Sequence, residues 1–406
     1  MLAAYLYHVV NVLMSLLLVS LLLGKLSLAE YAYWIVFTTL GGFGLQLQGA
    51  IQNVVVREIA REHHGLGVGA SLARARIAYR RLTWFMAGPL FLGGAVYLVL
   101  MDATIALLLA WSVFIAAFVV VYWFAPNNAL LLGTDRLGLN SNINTISRVL
   151  YVAAAWLLLR FELQLLGLCV AFALASLVST GLNRFAVAGF HLVPPDPAFQ
   201  PSSIGHYALF SLASFALYNG AVLFGFLIAP KGVMAGYGLA IQIATMILAV
   251  ATVPAQAWLG RLSRALNKGD VAQARRQVMR SAIVGNLLFI IGFAAFVLLG
   301  APLLGLLGTS VAIPGAGQLG VIFGAFLVEL NILLLCFFLV SMQQFGFVRT
   351  YLCTATVGLA LGLVAASALQ DLFWLAALPL VVQLLVCLPT ILFTASKEFA
   401  NVGINR

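Results

Sequence analysis

One acidic side chain lies deep inside a long apolar segment, where its chemistry differs from that of the other acids. Glu329 occurs in the sequence AFLVELNILL, and its apolar segment contains no Lys or Arg. An ionised carboxylate in hydrocarbon costs several kcal/mol, so Glu329 is protonated and hydrogen-bonded, paired with a base, or part of an ion pathway. We predict that Glu329 is a site for a coupling ion, with H+ and Na+ as the candidates.

A set of polar side chains shares one face of an apolar helix. Gln46, Asn53 and Arg57 fall with Gly42 and Gly49 at steps of three and four residues, the spacing of one helix face. In a membrane, such a face lines either a water-filled cavity or a helix seam in which glycines allow close approach. Both interpretations stay open. Under the first, Gln46, Asn53 and Arg57 are substrate-binding candidates.

Arg148 lies near the start of another apolar segment, on one face with Ser141, Asn144 and Tyr151. Its guanidinium either extends to the phosphates of the inner leaflet or awaits an anionic group at a cytoplasmic opening. The second interpretation makes Arg148 a substrate-binding candidate.

Three amides inside apolar segments are weaker candidates of the same kind. Asn219 and Gln242 are further substrate-binding candidates, and Asn286 lies in the ninth apolar segment. An amide in a membrane helix is more often bonded to a neighbouring helix than to a ligand.

The composition indicates that lipid is the solvent of these helices. Of the 406 residues, 64% are hydrophobic and only 8% are charged, whereas soluble proteins carry about 25% charged residues. The four cysteines lie in apolar stretches without CxxC spacing. We therefore expect no disulfide framework, no metal site and no cofactor.

Twelve segments approach the length of about 20 apolar residues that a membrane helix needs. They cover residues 4–23, 31–56, 82–100, 104–132, 145–159, 163–183, 207–228, 233–258, 282–299, 319–341, 352–369 and 373–394. The fifth is short and extends into its polar start if it spans the bilayer.

The chain is expected to fold as two halves. Residues 191–206 contain four of the twelve prolines, which end helices. The second and eighth segments also leave through similar basic stretches, QNVVVREIARE and QAWLGRLSRAL. We predict an all-α integral membrane protein of about 12 helices in two six-helix lobes, related by pseudo-two-fold symmetry. The lobes cover residues 1–190 and 207–406, and residues 191–206 form a cytoplasmic linker.

The distribution of basic residues predicts the orientation. Eighteen of the 21 Lys and Arg residues fall on one side of the twelve-span arrangement, so both termini are expected to be cytoplasmic. The predicted location is the bacterial cytoplasmic (inner) membrane. The net charge of +10 follows from this topology and the anionic leaflet, and it gives no reason to expect nucleic acid as a partner.

Features that membrane enzymes need are missing from the sequence. No Gly-Lys-Ser/Thr element follows the phosphate-loop pattern. The longest outer loop, about residues 300–317, contains no acid, base or histidine, although external catalysis needs such groups. We expect that the chain is not an enzyme.

Two stretches together resemble the lipid-linked oligosaccharide flippases, the O-antigen-type exporters of the multidrug/oligosaccharidyl-lipid/polysaccharide exporter superfamily. The first, residues 21–62, has a Leu-Gly turn followed by Glu30-Tyr31 and leaves span two through Arg57–Ala60. The second, residues 229–270, has the matching elements Gly236, Tyr237, Ala240, Pro254, Ser263 and Gly269-Asp270. Span number and two-lobe division agree along essentially the whole chain.

This resemblance implies two six-helix bundles in a V around a cationic cavity. Such proteins move an undecaprenyl-diphosphate-linked saccharide from the cytoplasmic to the outer leaflet by alternating access, among membrane lipids and beside polysaccharide-assembly proteins. Many relatives carry a charged residue in span seven, where this chain has only Asn219. The alternative is a cation-coupled multidrug or small-molecule exporter of the same superfamily, which would need several cavity carboxylates for cationic drugs, whereas Glu329 is the one acid deep within a predicted span.

Overall fold

The computed structural model describes residues 2–63, 69–134, 136–188, 204–267, 270–306, 313–342 and 344–404. In these ranges the chain forms twelve helices, two of which are interrupted by a π-helical turn. The first lobe contains α1 (Leu2–Lys25), α2 (Leu28–His63), α3 (Gly69–Leu100), α4 (Ile105–Gly133), α5 (Leu137–Arg160) and α6 (Gln164–Val187).

The second lobe contains the other six helices. They are α7 (Ile204–Phe215, a π turn at Ala216–Gly220, then Ala221–Ile228), α8 (Lys231–Asn267), α9 (Val271–Leu306), α10 (Ala316–Ser341), α11 (Phe347–Leu369) and α12 (Trp374–Val382, a π turn at Gln383–Cys387, then Leu388–Ile404).

The helices correspond one to one with the twelve segments of high hydropathy, which confirms the all-helical membrane fold. Within the described residues, α3 to α12 are each long and apolar enough to cross a membrane. Several helices are longer than the apolar segment that predicted them: α8 continues from the predicted end at residue 258 to Asn267. Hydropathy marks the part of a helix that lies in hydrocarbon, whereas backbone hydrogen bonding continues into the basic amphipathic stretch. The short fifth span extends into its polar start, as expected, and becomes the 24-residue helix α5.

The chain divides into two compact units, Met1–Ser211 and Leu212–Arg406. Most of the predicted linker, residues 191–203, lies outside the described residues, and its last three residues belong to the first turn of α7. The lobe boundaries at residues 190 and 206 therefore stay predictions.

Both lobes have the same internal helix pairing. In the first lobe α4 packs against α2, α3 and α6, while α5 packs against α1 and α6. In the second lobe α10 packs against α8, α9 and α12, while α11 packs against α7 and α12. Each pair recurs with both helix numbers raised by six, which supports the internal repeat inferred from the two basic exits.

Aromatic side chains fill the interior of each lobe, and others cover its outside. Phe37 and Trp111 meet edge to face with ring centroids 5.1 Å apart in the first lobe, and Phe293 stacks on Phe323 at 4.4 Å in the second. Large apolar side chains are also exposed, among them Phe185 at 83% and Phe393 at 71%. A soluble protein rarely exposes so much apolar surface, so these faces are fitted to lipid.

Candidate functional site

Glu329 lies at the centre of a polar cluster inside the second lobe. It projects from α10, it is 0% exposed, and α7 and α11 supply its neighbours. Ser214 Oγ donates a hydrogen bond to Glu329 Oε1 at 2.9 Å. Tyr351 OH lies 2.8 Å from Oε1 and 2.7 Å from Oε2, and Tyr218 OH lies 3.4 Å from Oε2. We call Glu329, Ser214, Tyr218 and Tyr351 the acid cluster.

The acid cluster contains no base. Among the described residues, the hydrogen-bond partners of the Glu329 carboxyl are these three hydroxyls, and none is Lys, Arg or His. A fully buried carboxylate without a positive partner is unfavourable even when hydroxyls solvate it. Two states are therefore compatible with this site: the protonated acid, or the carboxylate with a bound cation.

The hydroxyl groups can serve both of these states. A hydroxyl donates one proton and also offers lone pairs as an acceptor. Around a protonated Glu329, one hydroxyl accepts the acid proton while the others donate to the carboxyl. Around a small hard cation, the same oxygen atoms are suitable ligands together with a carboxylate oxygen. The cluster thus offers oxygen atoms that suit either H+ or Na+.

The backbone of α7 is irregular where it contributes to this cluster. Tyr218 lies within the π turn Ala216–Gly220, one helical turn after Ser214. Its hydroxyl also lies 3.2 Å from the carbonyl oxygen of Ala325, so its single proton has two competing acceptors. π turns are rare and are frequent at functional sites, because the insertion re-aims side chains within an otherwise regular helix.

A second π turn lies in α12, which packs against α10. Its first residue, Gln383, is 1% exposed, and both amide atoms of the side chain lack a hydrogen-bond partner in the described part of the chain. An unpaired buried amide is costly. The side chain of Gln383 therefore has an unused hydrogen-bond donor and an unused acceptor in the core of the same lobe as Glu329.

In the first lobe, Arg148 has its charged side chain inside the helix bundle. It projects from α5, and its Nη2 donates a hydrogen bond to Ser15 Oγ of α1 at 2.5 Å. Its guanidinium lies 5.6 Å from the ring centroid of Tyr151. Its Nε is buried without a partner, and no carboxylate pairs with Arg148 in the part of the chain that the structure describes. Arg148 is held by a hydroxyl and an aromatic ring and retains an unused donor.

The other predicted site residues fall in two groups. Gln46, Asn53 and Arg57 lie in α2, but their side chains are outside the described residues. Asn219 is half-buried in the π turn of α7, and Gln242 is half-buried in α8. The substrate-binding role of these five residues stays a prediction.

The structural interpretation of Asn286 is confirmed. Its side-chain amide exchanges two hydrogen bonds with that of Asn331, each 3.0 Å long, and so links α9 to α10. The four cysteines are free. No group of three or more His, Cys, Asp or Glu side chains could hold a metal ion within the residues searched.

Ser214, Tyr218 and Tyr351 were not identified from the sequence. Ser214 and Tyr218 are four residues apart, so their common face on α7 could have been read from the helical period. Their approach to Glu329 depends on the packing of α7 and α11 against α10, which the sequence pattern does not specify.

We expect Tyr351→Phe to lower the stability of the second lobe. The substitution keeps the ring but removes the shortest donor to Glu329, and an unmet buried polar group costs about 1–3 kcal/mol. Tyr31→Phe is the matched control, because Tyr31 is also buried but its hydroxyl has no hydrogen-bond partner among the described residues. Thermal unfolding of the purified variants measures the effect. Equal midpoints for the two variants would contradict the hydrogen-bonding account of the acid cluster.

Comparison with known proteins gives matches among solved structures. No family model matches the chain, and no curated protein matches it. The eukaryotic MATE transporter AtDTX14 is similar at a TM-score of 0.67 and 13% identity, over 99% of this chain and 94% of that chain. An outward-facing multidrug resistance MATE family transporter of the MOP superfamily is similar at a TM-score of 0.66 and 13% identity, over 99% of this chain and 95% of that chain.

An inward-facing transporter of that description is also similar, with a TM-score of 0.63 and 13% identity over 97% of this chain and 95% of that chain. These three proteins are described as transporters. Sequence identity this low carries the fold and leaves the cargo open. The chain therefore has the two-lobe fold of MATE transporters of the MOP superfamily.

Proposed function

We propose that this protein is a cation-coupled exporter that works by alternating access, with Glu329 as its ion-coupling residue. The observation that carries the proposal is the acid cluster: a carboxyl with 0% exposure, three hydroxyl neighbours and no base among the described residues. Intramembrane acids that lack a fixed counter-charge are typical of proton and ion pathways.

Alternating access is supported by the fold. Solved structures with this fold include both inward-facing and outward-facing conformations. An ion biases such an equilibrium only if it binds the two conformations with different affinity. At Glu329 that difference arises if movement of α7 or α11 changes the number of hydroxyls around the carboxyl.

The orientation belongs to the same proposal. With eighteen of the 21 basic residues on one side, both termini are placed in the cytoplasm of a bacterial cell, in its inner membrane. An inward gradient of H+ or Na+ then supplies the driving force for export.

We expect Glu329→Gln to fold and insert normally but to lose the dependence of transport on the ion gradient. Glutamine keeps the volume and most of the hydrogen bonding of a protonated acid, whereas its charge cannot change during the cycle. Transport is measured in proteoliposomes with an imposed pH or Na+ gradient, with ethidium as one probe and a fluorescent undecaprenyl-diphosphate saccharide as the other. Gradient stimulation should fall by at least about tenfold, equivalent to about 1.4 kcal/mol.

Glu162→Gln provides the control for this experiment. Glu162 is an exposed acid at the turn between α5 and α6, so the same substitution should leave gradient dependence unchanged. If Glu329→Gln, at matched protein abundance, depends on the gradient as strongly as wild type does, Glu329 is a structural acid and the proposal is wrong.

The cargo has two candidates. The structural comparisons favour a small-molecule exporter, since the similar transporters include multidrug resistance proteins. The comparisons therefore favour the alternative exporter over the flippase that the sequence resemblance indicates. A sugar linked to undecaprenyl diphosphate remains the second candidate, because one observation in the first lobe favours an anionic cargo.

That observation is the environment of Arg148. A half-buried guanidinium whose buried Nε donor is unused, and which has no described carboxylate partner, suits an anion such as a diphosphate. A cationic drug would be repelled by it. Arg148 therefore supports the lipid-linked saccharide, with polysaccharide-assembly proteins as possible functional neighbours.

We expect Arg148→Ala to separate the two cargoes. If the cargo is a diphosphate, its transport should fall by at least about tenfold, since a hydrogen bond to a charged group contributes about 1.5–3 kcal/mol. Arg148→Lys should restore part of it, because lysine keeps the charge but not the planar fork. Ethidium transport should be unchanged or faster. The measurement is the proteoliposome assay with both probes.

Arg160→Ala is the matched control for Arg148→Ala. Arg160 also lies over an aromatic ring, 4.2 Å from the centroid of Trp156, but it is exposed at the C-terminal end of α5, whereas Arg148 lies near the middle of that helix. Undiminished saccharide transport by Arg148→Ala would exclude Arg148 from diphosphate binding. Ethidium transport without saccharide transport in the wild type would select the small-molecule exporter.

A further inference from the structure

A cationic cavity lies in the first lobe, apart from both Glu329 and Arg148. Its volume is about 330 Å³. The described residues that line it come from the basic end of α3, the end of α4 and the end of α6: Arg76, Arg80, Trp123, Phe124, Pro126, Asn127 and Arg184. We call it the arginine cavity.

Two of its arginines are positioned by the protein. Arg76 Nη2 donates a hydrogen bond to Oδ1 of Asn127 at 3.5 Å, and Asn127 is buried at 4% exposure. The guanidinium of Arg80 lies 5.0 Å from the ring centroid of Trp123, a geometry that favours a cation–π interaction. These contacts hold two guanidinium groups towards one cavity, whereas flexible surface arginines would spread apart.

The charge of the cavity is unbalanced. Three lining residues are arginines, and none of the described lining residues is acidic. Like charges gathered near a low-dielectric interior raise the free energy unless an anion offsets them. The guanidinium fork suits phosphate oxygens in particular, because it donates two parallel hydrogen bonds. The chemistry of the cavity thus selects a phosphate-bearing anion.

The position of the cavity indicates where this anion comes from. Trp84, one turn beyond Arg80 on α3, is 70% exposed, and Phe185, next to Arg184, is 83% exposed. Trp84 also meets Trp123 edge to face, with centroids 6.2 Å apart. Arginine beside exposed aromatic side chains is typical of the level at which lipid headgroups meet hydrocarbon. A ligand there has room for acyl chains along the apolar surface.

We propose that the arginine cavity is a binding site for the phosphate headgroup of an anionic membrane lipid. Arg76, Arg80 and Arg184 contact the phosphate oxygens, and the acyl chains lie along the exposed surface next to Trp84 and Phe185. The site is separate from the transport proposal: it concerns a lipid bound at an exposed face of the first lobe, whatever the cargo is.

The test compares two triple variants with equal loss of charge. One replaces Arg76, Arg80 and Arg184 by alanine. The other replaces Arg275, Arg276 and Arg280, described and exposed arginines at the basic end of α9. Native mass spectrometry of the full-length protein, titrated with phosphatidylglycerol or phosphatidylcholine, measures the lipids retained.

We expect wild type and the α9 triple variant to retain one phosphatidylglycerol with similar affinity. The cavity triple variant should bind it at least about tenfold more weakly, and phosphatidylcholine should show no such difference. Equal losses in both triple variants would reduce the effect to diffuse attraction by the leaflet and overturn the proposal.

Two further measurements, on a single variant and with inorganic phosphate as a competitor, complete the test. Arg184→Ala alone changes an exposed side chain, so it reports on the site if the triple variant fails to fold, and it should weaken phosphatidylglycerol binding by about fivefold. Inorganic phosphate at equal concentration should not displace the lipid. Displacement by inorganic phosphate would assign the cavity to a soluble anion and overturn the lipid proposal. Unchanged phosphatidylglycerol binding by Arg184→Ala would also overturn the proposal as stated, because Arg184 is one of its three phosphate contacts.

Discussion

The cost of an ionised side chain in hydrocarbon is the constraint on which the rest of this structure depends. It explains why only 8% of the residues are charged and why most basic residues lie outside the apolar segments. It also gives weight to the few polar groups that remain inside. Glu329 is buried among three hydroxyls without a base, so its charge state is tied to what it binds. The charge state of such a residue depends on how α7 and α11, which carry the hydroxyls, pack against α10.

In each lobe the equivalent helix pair, α1 with α5 or α7 with α11, contributes to the surroundings of one charged group, which is Arg148 of α5 in the first lobe and Glu329 of α10 in the second. In the first, α1 and α5 hold Arg148 through Ser15 and Tyr151. In the second, the equivalent helices α7 and α11 supply Ser214, Tyr218 and Tyr351 to Glu329 of α10. A cation is thus presented by one repeat and an acid by the other. This division suits a transporter in which one lobe attracts an anionic group and the other responds to a coupling ion, each with its own local hydrogen bonds.

Hydropathy predicted the helices well because the number and order of spans depend only on transfer to lipid. Glu329 was identifiable for the same reason, since an acid in an apolar segment stands out in any arrangement of helices. Its partners were not, because the meeting of Tyr351 with Ser214 is a matter of packing between α11 and α7. The π turns were missed as well: ALYNG and QLLVC carry no signal that distinguishes them from ordinary helix. In the sequence, the arginines of the arginine cavity stand out only as members of the eighteen basic residues on one side of the twelve-span arrangement.

The charge state of Glu329 is the central claim, and infrared difference spectroscopy of the purified protein tests it directly. A protonated carboxylic acid has a carbonyl stretch distinct from the bands of carboxylates and amides. The account predicts that wild type shows this band, that it disappears when the pH is raised or Na+ is added, and that Glu329→Gln lacks the change. A wild-type difference spectrum identical to that of Glu329→Gln would contradict the account, because Glu329 would then exchange neither a proton nor a cation.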